Sequence, residues 1–161
     1  MDKELNKIHT LMRQLFGLVH RLEDEAIKAS EFSDLSRAEI SAIMAIGTGR
    51  PKTMTHVANI LEINVSTLTT TINKLVKKGY VERLRDDKDR RIVKIGLSEK
   101  GIAAATERDS FMGELLRGAV EQVEPDKLRY FISAIDNINQ YFMAKSRMSY
   151  LKNTHCALAP S

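Results

Sequence analysis

A mainly α-helical fold carrying one small β-hairpin is predicted by three features of this sequence of 161 residues. Apolar residues recur in alternating steps of three and four near both ends, which is the rhythm of amphipathic helices. The middle is cut by caps and glycines into short helices. One stretch then changes to strict alternation, the period of a strand.

Taken in order, Leu5, Ile8, Met12, Leu15, Val19, Leu22 and Ala26 mark a long first helix with a narrow apolar seam. Ser36 followed by Glu39 is a capping box for a helix through Ile40, Ile43, Met44 and Ile46, stopped by Gly47 and by Gly49-Arg50-Pro51. A short helix over residues 55–61 turns Val57, Ala58 and Leu61 inward. After Glu62-Ile63, Asn64 is placed to cap a third helix, whose buried stripe is Leu68, Ile72 and Leu75 and which Gly79 ends. Two short helices at this spacing form a helix-turn-helix. Residues 80–85 and 92–97 alternate as a hairpin around a charged tip, making the module winged. Ser98 caps a helix that runs through the alanines at 103–105 toward Val123, and Pro125 sits in the first turn of a last helix, with Leu128, Phe131, Ile135, Ile138 and Phe142 at heptad spacing. The expected organisation is a dimerisation helix over 1–30, a winged helix-turn-helix lobe over 34–98, C-terminal dimerisation helices over 99–146 and a tail over 147–161. An intrachain helical hairpin is the competing account of the two seams, but so small a central module leaves them little to cover, which favours a homodimer.

Composition narrows the function classes. Residues 65–94 hold nine Lys or Arg and four Asp or Glu, so this segment is +5 in a chain of net charge +4. Positive charge gathered on one short segment is the footprint of a nucleic-acid contact. The single cysteine, Cys156, allows neither an intrachain disulfide nor a thiolate-rich zinc site. The four histidines are scattered, and no phosphate loop, nucleophile elbow or Cys-His pair is present. No enzyme activity, cofactor or metal is therefore expected. No apolar run could cross a bilayer and charged Asp2-Lys3-Glu4 follows Met1, so the expectation is a cytoplasmic chain without a membrane partner.

A helix face of small hydroxyl residues suits the major groove of double-stranded DNA, where bulky side chains would hold the helix away. Ser66, Thr67, Thr69, Thr70, Thr71 and Asn73 are the candidate groove residues; Lys74, Lys77 and Lys78 would meet phosphates. Arg90 and Arg91 at the wing tip would reach a minor groove, with Asp89 orienting a neighbouring arginine. A non-catalytic helical protein-interaction module is the alternative, but it leaves the threonine-rich helix and the local +5 unexplained.

The run Thr55-His56-Val57-Ala58-Asn59-Ile60-Leu61, the stretch from Leu75 through Gly79-Tyr80-Val81-Glu82-Arg83, then Asp89-Arg90-Arg91 and Leu97-Ser98-Glu99-Lys100-Gly101, resemble the MarR family of transcriptional regulators. The resemblance implies a homodimer interlaced through the terminal helices, with a ligand crevice between that interface and the DNA-binding lobe. Phe32-Ser33-Asp34-Leu35-Ser36 and Thr67-Leu68-Thr69-Thr70 look most like the repressors of fatty-acid synthesis genes. That likeness implies a ligand-responsive repressor on a palindromic operator. Its first candidate effector is an acyl chain on acyl carrier protein, its second a small apolar ligand such as an aromatic acid. Met12, Phe16, Met44 and Phe111 are the expected crevice residues, core packing being the competing account of all four. The family's thiol sensors carry their cysteine near the amino terminus, which argues against oxidant sensing by Cys156.

Overall fold

The computed structural model describes residues 1–85 and 93–156, with side chains to residue 145. It divides into two compact units, Met1–Met112 and Gly113–Ser161. The elements in order are α1 (Asp2–Ala29), α2 (Arg37–Ile46), β1 (Lys52–Thr53), α3 (Met54–Ile60), α4 (Val65–Lys77), β2 (Val81–Arg85), β3 (Val93–Leu97), α5 (Glu99–Val120) and α6 (Pro125–Cys156). The fold is mostly helical, with one antiparallel sheet of order β1-β3-β2.

In the first unit, α2, α3 and α4 pack their apolar stripes together over the sheet. Ile43, Ile46, Val57, Leu68, Ile72, Leu75 and Ile95 are fully buried there. Both halves of the Ser36–Glu39 capping box are present at the start of α2. At its other end Gly47 takes φ +68, and Lys52 Nζ donates to the carbonyls of Ala45 and Ile46 at 2.9 and 2.7 Å. A cation thus satisfies the last orphan carbonyls and the negative pole of the helix. Helix α4 closes in a Schellman turn: Gly79 has φ +82, its N–H donates to the Val76 carbonyl, and the Tyr80 N–H to that of Leu75. The turn sends the chain into β2, which pairs with β3 from Val81 opposite Leu97 to Arg85 opposite Val93.

Several details differ from the sequence expectations. Strand β1, pairing Lys52 with Ile95 and Thr53 with Lys94, was not foreseen, because two residues carry no readable alternation. Asn64 occupies the N-cap of α4, yet its side chain makes no capping hydrogen bond. Helix α5 ends at Val120, short of 123, while α6 continues through Cys156 where the sequence suggests a tail from 147. The two compact units divide at 112/113, and Gly101, Ala104 and Ala105 in the first turns of α5 are buried within the first of them.

The terminal seams are open in the single chain. No residue of α1 is buried, and Leu5 is 62% and Leu15 58% exposed. In the second unit Phe131, Ile135, Ile138 and Phe142 on α6 are likewise exposed.

The start of α5 explains the Leu-Ser-x-x-Gly run. Ser98 donates its hydroxyl to the Gly79 carbonyl at 2.6 Å and its N–H to the Tyr80 carbonyl, and its Oγ accepts from the Gly101 N–H at 3.1 Å. This brings the Tyr80 carbonyl oxygen within 2.1 Å of where a Cβ on Gly101 would lie. Backbone cannot yield as a side-chain tip can, so Gly101→Ala should destabilise by about 3 kcal/mol, the upper range for overpacking. Gly118→Ala on the same helix meets nothing within 4 Å and should gain about 0.5–1 kcal/mol. Urea midpoints of the two variants and wild type check this; equal midpoints would remove the packing account of Gly101.

Candidate nucleic-acid interface and adjoining crevice

Helix α4 presents its polar face because the opposite face is taken up by the core. Ser66, Thr67, Thr70, Asn73, Lys74 and Lys77 are exposed, while Thr69 and Thr71 are half-buried. Five hydroxyl residues, poor helix formers, fall between 65 and 71, and three of them bond back to the helix. The hydroxyls of Thr69, Thr70 and Thr71 donate to the carbonyls of Val65, Ser66 and Thr67, at 2.7, 3.4 and 3.4 Å. Only the Thr69 bond is short, so its proton is engaged, while the longer contacts of Thr70 and Thr71 leave their hydroxyls able to donate as well as accept. Asn73 is held from β2, Arg83 donating to its Oδ1 at 2.5 Å, which leaves the amide NH2 facing out as a donor.

Lys78 departs from the expected phosphate contact. Its Nζ turns back to donate to Glu39 Oε2 at 2.8 Å and to the Asp34 carbonyl at 2.5 Å. Glu39 is buried, and the same Oε2 also accepts from the N–H and hydroxyl of Ser36, both at 2.8 Å. Its other oxygen, Oε1, is buried without a hydrogen-bond partner among the described residues. Burial raises the Glu39 pKa, but the hydrogen bonds from Lys78 and Ser36 outweigh it and hold the carboxyl below its ordinary 4.5. Asp89, Arg90 and Arg91 lie outside the described residues.

Elsewhere in the first unit, α1, α2, α5 and the segment joining α1 to α2 line a narrow apolar crevice of about 40 Å³. Phe32, Leu35, Ile43, Ala104 and Phe111 are among its walls. A wider, open hollow of about 420 Å³ adjoins it, lined by Met44, Ile60 and Leu61, and shares Glu23, Ile27, Ile40 and Arg108 with it. Glu23 and Arg108 form an ion pair where the two meet, and Arg37 bonds Asp24 at 2.6 Å, holding the end of α1 to α5 and α2. Of the four expected crevice residues, Phe111 lines the first space and Met44 the second. Met12 and Phe16 line neither, Phe16 being exposed on α1. Among the described residues there is no cluster able to hold a metal ion and no helix long and apolar enough to cross a membrane.

Comparison with known proteins fits this arrangement. Residues 33–92 match the family model described as MarR family. The HTH-type transcriptional regulator SarZ of Staphylococcus saprophyticus is 35% identical over 100 residues, covering 59% of this chain and 68% of SarZ. The chain belongs to the MarR family. The HTH-type transcriptional regulator YpoP of Bacillus subtilis is 32% identical over 94 residues, 58% of this chain and 64% of its own, so less than two thirds of that relative is spanned. Among solved structures, that of Streptococcus pneumoniae FabT in complex with DNA superposes with a TM-score of 0.82 at 26% identity, covering 86% of this chain and 97% of FabT. Within this MarR-family chain, what the sequence reading missed is the linked set Glu39, Lys78, Asp34 and Tyr80, of which Glu39 and Tyr80 are buried. The signal available was a capping-box glutamate, and it speaks only of a helix start.

The Lys78–Glu39 pair can be tested by stability. Lys78→Met leaves a buried carboxylate without its counter-ion and should cost about 2–3 kcal/mol, the range for unpairing a charged hydrogen bond. Because the folded pKa of Glu39 is depressed, its contribution is present above the unfolded value and lost as pH falls through the folded one. Urea unfolding between pH 6 and 3 should therefore show wild-type stability falling at the acid end, below about pH 4.5. That acid-side slope should shrink in Glu39→Gln. An unchanged slope would assign the acid sensitivity elsewhere.

Proposed function

We propose that this MarR-family protein is a transcriptional regulator that binds double-stranded DNA as a homodimer, acting as a ligand-responsive repressor on a palindromic operator. The observation that carries the reading is the exposed face of α4: small hydroxyl side chains and an oriented Asn73 along it, Lys74 and Lys77 at its end, all backed by a rigid core. Such a face fits into a major groove, and the lysines contribute the sequence-independent attraction to phosphates. The likeness to FabT, solved in complex with DNA, supports the same assignment. The open seams of α1 and α6 support the homodimer, whose two lobes would read half-sites about one helical turn, ~34 Å, apart.

The back-bonded threonines make the reading more specific. Thr69, its proton engaged by the helix, acts as an acceptor, while Thr70 and Thr71 can donate or accept at base edges, and all three offer methyl contacts to thymine. On a duplex selected from random sequence, Thr70→Ala should relax base preference. Lys77→Ala should weaken all sequences alike and lower the salt slope by about one unit. Equal effects of the two changes across a panel of mutated sites would defeat this division of labour, and absence of retention of any duplex at low salt would defeat the function.

An apolar effector is the proposed switch, with the crevice and its neighbouring hollow as the site. Family likeness puts fatty-acid synthesis genes first among targets and an acyl chain on acyl carrier protein first among effectors, a small aromatic acid second. The apolar walls suit an acyl or aromatic group, and an acidic head group would have to take Arg108 from its ion pair with Glu23. Titration of operator affinity with acylated carrier protein, a fatty acid and salicylate, in wild type and Met44→Glu, should show a change in wild type that the variant loses. A change below twofold with every compound would leave control to protein abundance.

A further inference from the structure

The crevice and the DNA-facing helix share one segment of chain, residues 31–36. On one side, Phe32 and Leu35 are buried walls of the crevice. On the other, the same segment holds the end of α4 by three contacts. The Tyr80 hydroxyl donates to Asp34 Oδ1 at 2.6 Å, and Lys78 donates to the Asp34 carbonyl. Phe32 meets the edge of the Tyr80 ring, with centroids 6.1 Å apart and planes at 67°. Tyr80 is fully buried, and its N–H closes the last turn of α4 on Leu75.

The crevice has room for little more than a water or two. A larger occupant must extend into the adjoining open hollow or displace a wall. All four walls Phe32, Leu35, Ile43 and Ala104 are buried in one core cluster, but Ile43 and Ala104 belong to helices, whereas Phe32 and Leu35 belong to a short connection outside any helix or strand. We propose that residues 31–36 form a strap that carries displacement of the crevice wall to the C-terminal end of α4, with Asp34, Tyr80 and Lys78 as positioning residues. The inference rests on the DNA-binding reading for its consequence but not for its mechanics. Filling the crevice pushes Phe32 against the Tyr80 ring and draws Asp34 from its two donors, which loosens the Schellman turn and re-aims the polar face of α4. Lys78 then acts on DNA affinity through position, not through a phosphate.

The test replaces an unidentified effector by a side chain. Ala104→Leu, with the smaller Ala104→Val as a milder filling that keeps the fold, is made in the full chain with and without Tyr80→Phe plus Lys78→Met. Amide hydrogen exchange at Gly79 and Tyr80 is read without DNA, and affinity for the selected duplex is read with it. The filling should speed exchange at Tyr80 at least fivefold, graded with side-chain size, and by less than twofold when the grips are cut. Asp34→Asn, which keeps an acceptor for the Tyr80 hydroxyl, should restore the response that Asp34→Ala loses. Operator affinity should follow exchange, and Lys78→Met should leave the salt slope unchanged. The strap is overturned if filling leaves exchange unchanged, if it acts equally with the grips cut, or if Lys78→Met lowers the salt slope as a phosphate contact would. Wild-type protein that binds no duplex would overturn the DNA-binding reading, and exchange would still decide the strap.

Discussion

A tyrosine hydroxyl taken out of water costs about 1–3 kcal/mol unless something accepts from it, so Tyr80 can be buried only where a partner waits. Asp34 supplies that partner across 46 residues of sequence, and the rest of the lobe is arranged around the result. Burial, and then the bond to Asp34, push the Tyr80 pKa far up, so the hydroxyl stays a donor at all working pH. Its backbone is engaged no less than its side chain: the N–H ends α4, and the carbonyl accepts from Ser98 and presses on Gly101. Lys100 stands 4.0 Å over the ring face. One residue therefore fixes the exit of α4, the start of β2 and the start of α5.

The parts legible in the sequence are those governed by local rules. Capping at Ser36, the stop at Gly79 and the stripe Leu68, Ile72, Leu75 follow from spacing alone, and the structure has each where spacing puts it. The exposed face of α4 was legible for the same reason, since naming the buried stripe names its opposite. Strand β1 was not, because a two-residue strand exists only through its partner β3. Nor was the fate of Lys78. Its position in sequence is that of a phosphate-contacting lysine, and only the fold brings a buried carboxylate to meet it. Helix α5 carried no sign that its first turns belong to the lobe, as Gly and Ala mark close packing without saying against what.

Glu39 shows how one residue can satisfy a local rule and a tertiary one together. As the third residue of α2 it closes the capping box, which needs only one of its oxygens near Ser36. That same oxygen also accepts from Lys78, so three donors converge on Oε2 while Oε1 has none among the described residues. An apolar residue there would avoid the desolvation but would leave Lys78 and the N–H of Ser36 unpaired. Buried ion pairs add little net stability over apolar packing, yet breaking one is costly, so they fix an arrangement more than they strengthen it. Here the arrangement fixed is the C-terminal end of α4 against the first turn of α2.

Helix α1 poses the opposite problem, a long element with almost nothing beneath it. A helix draws most of its stability from packing its apolar face, and α1 has no buried residue in the single chain. What holds it in its own unit lies near its C-terminal end, in Glu23 with Arg108 and Asp24 with Arg37. Asp24 and Arg37 are both well exposed, and such pairs contribute little. Leu5, Ile8, Leu11 and Leu15 are 50–62% exposed, so covering the rest would release about 1 kcal/mol or a little more each, roughly half the value for a whole side chain. The proposed homodimer is thus a condition for α1 to be ordered along its length, not an accessory to DNA binding. If so, the folded lobe and the dimer are linked through the end of α1, which is also a wall of the crevice, and whatever alters that wall acts on both.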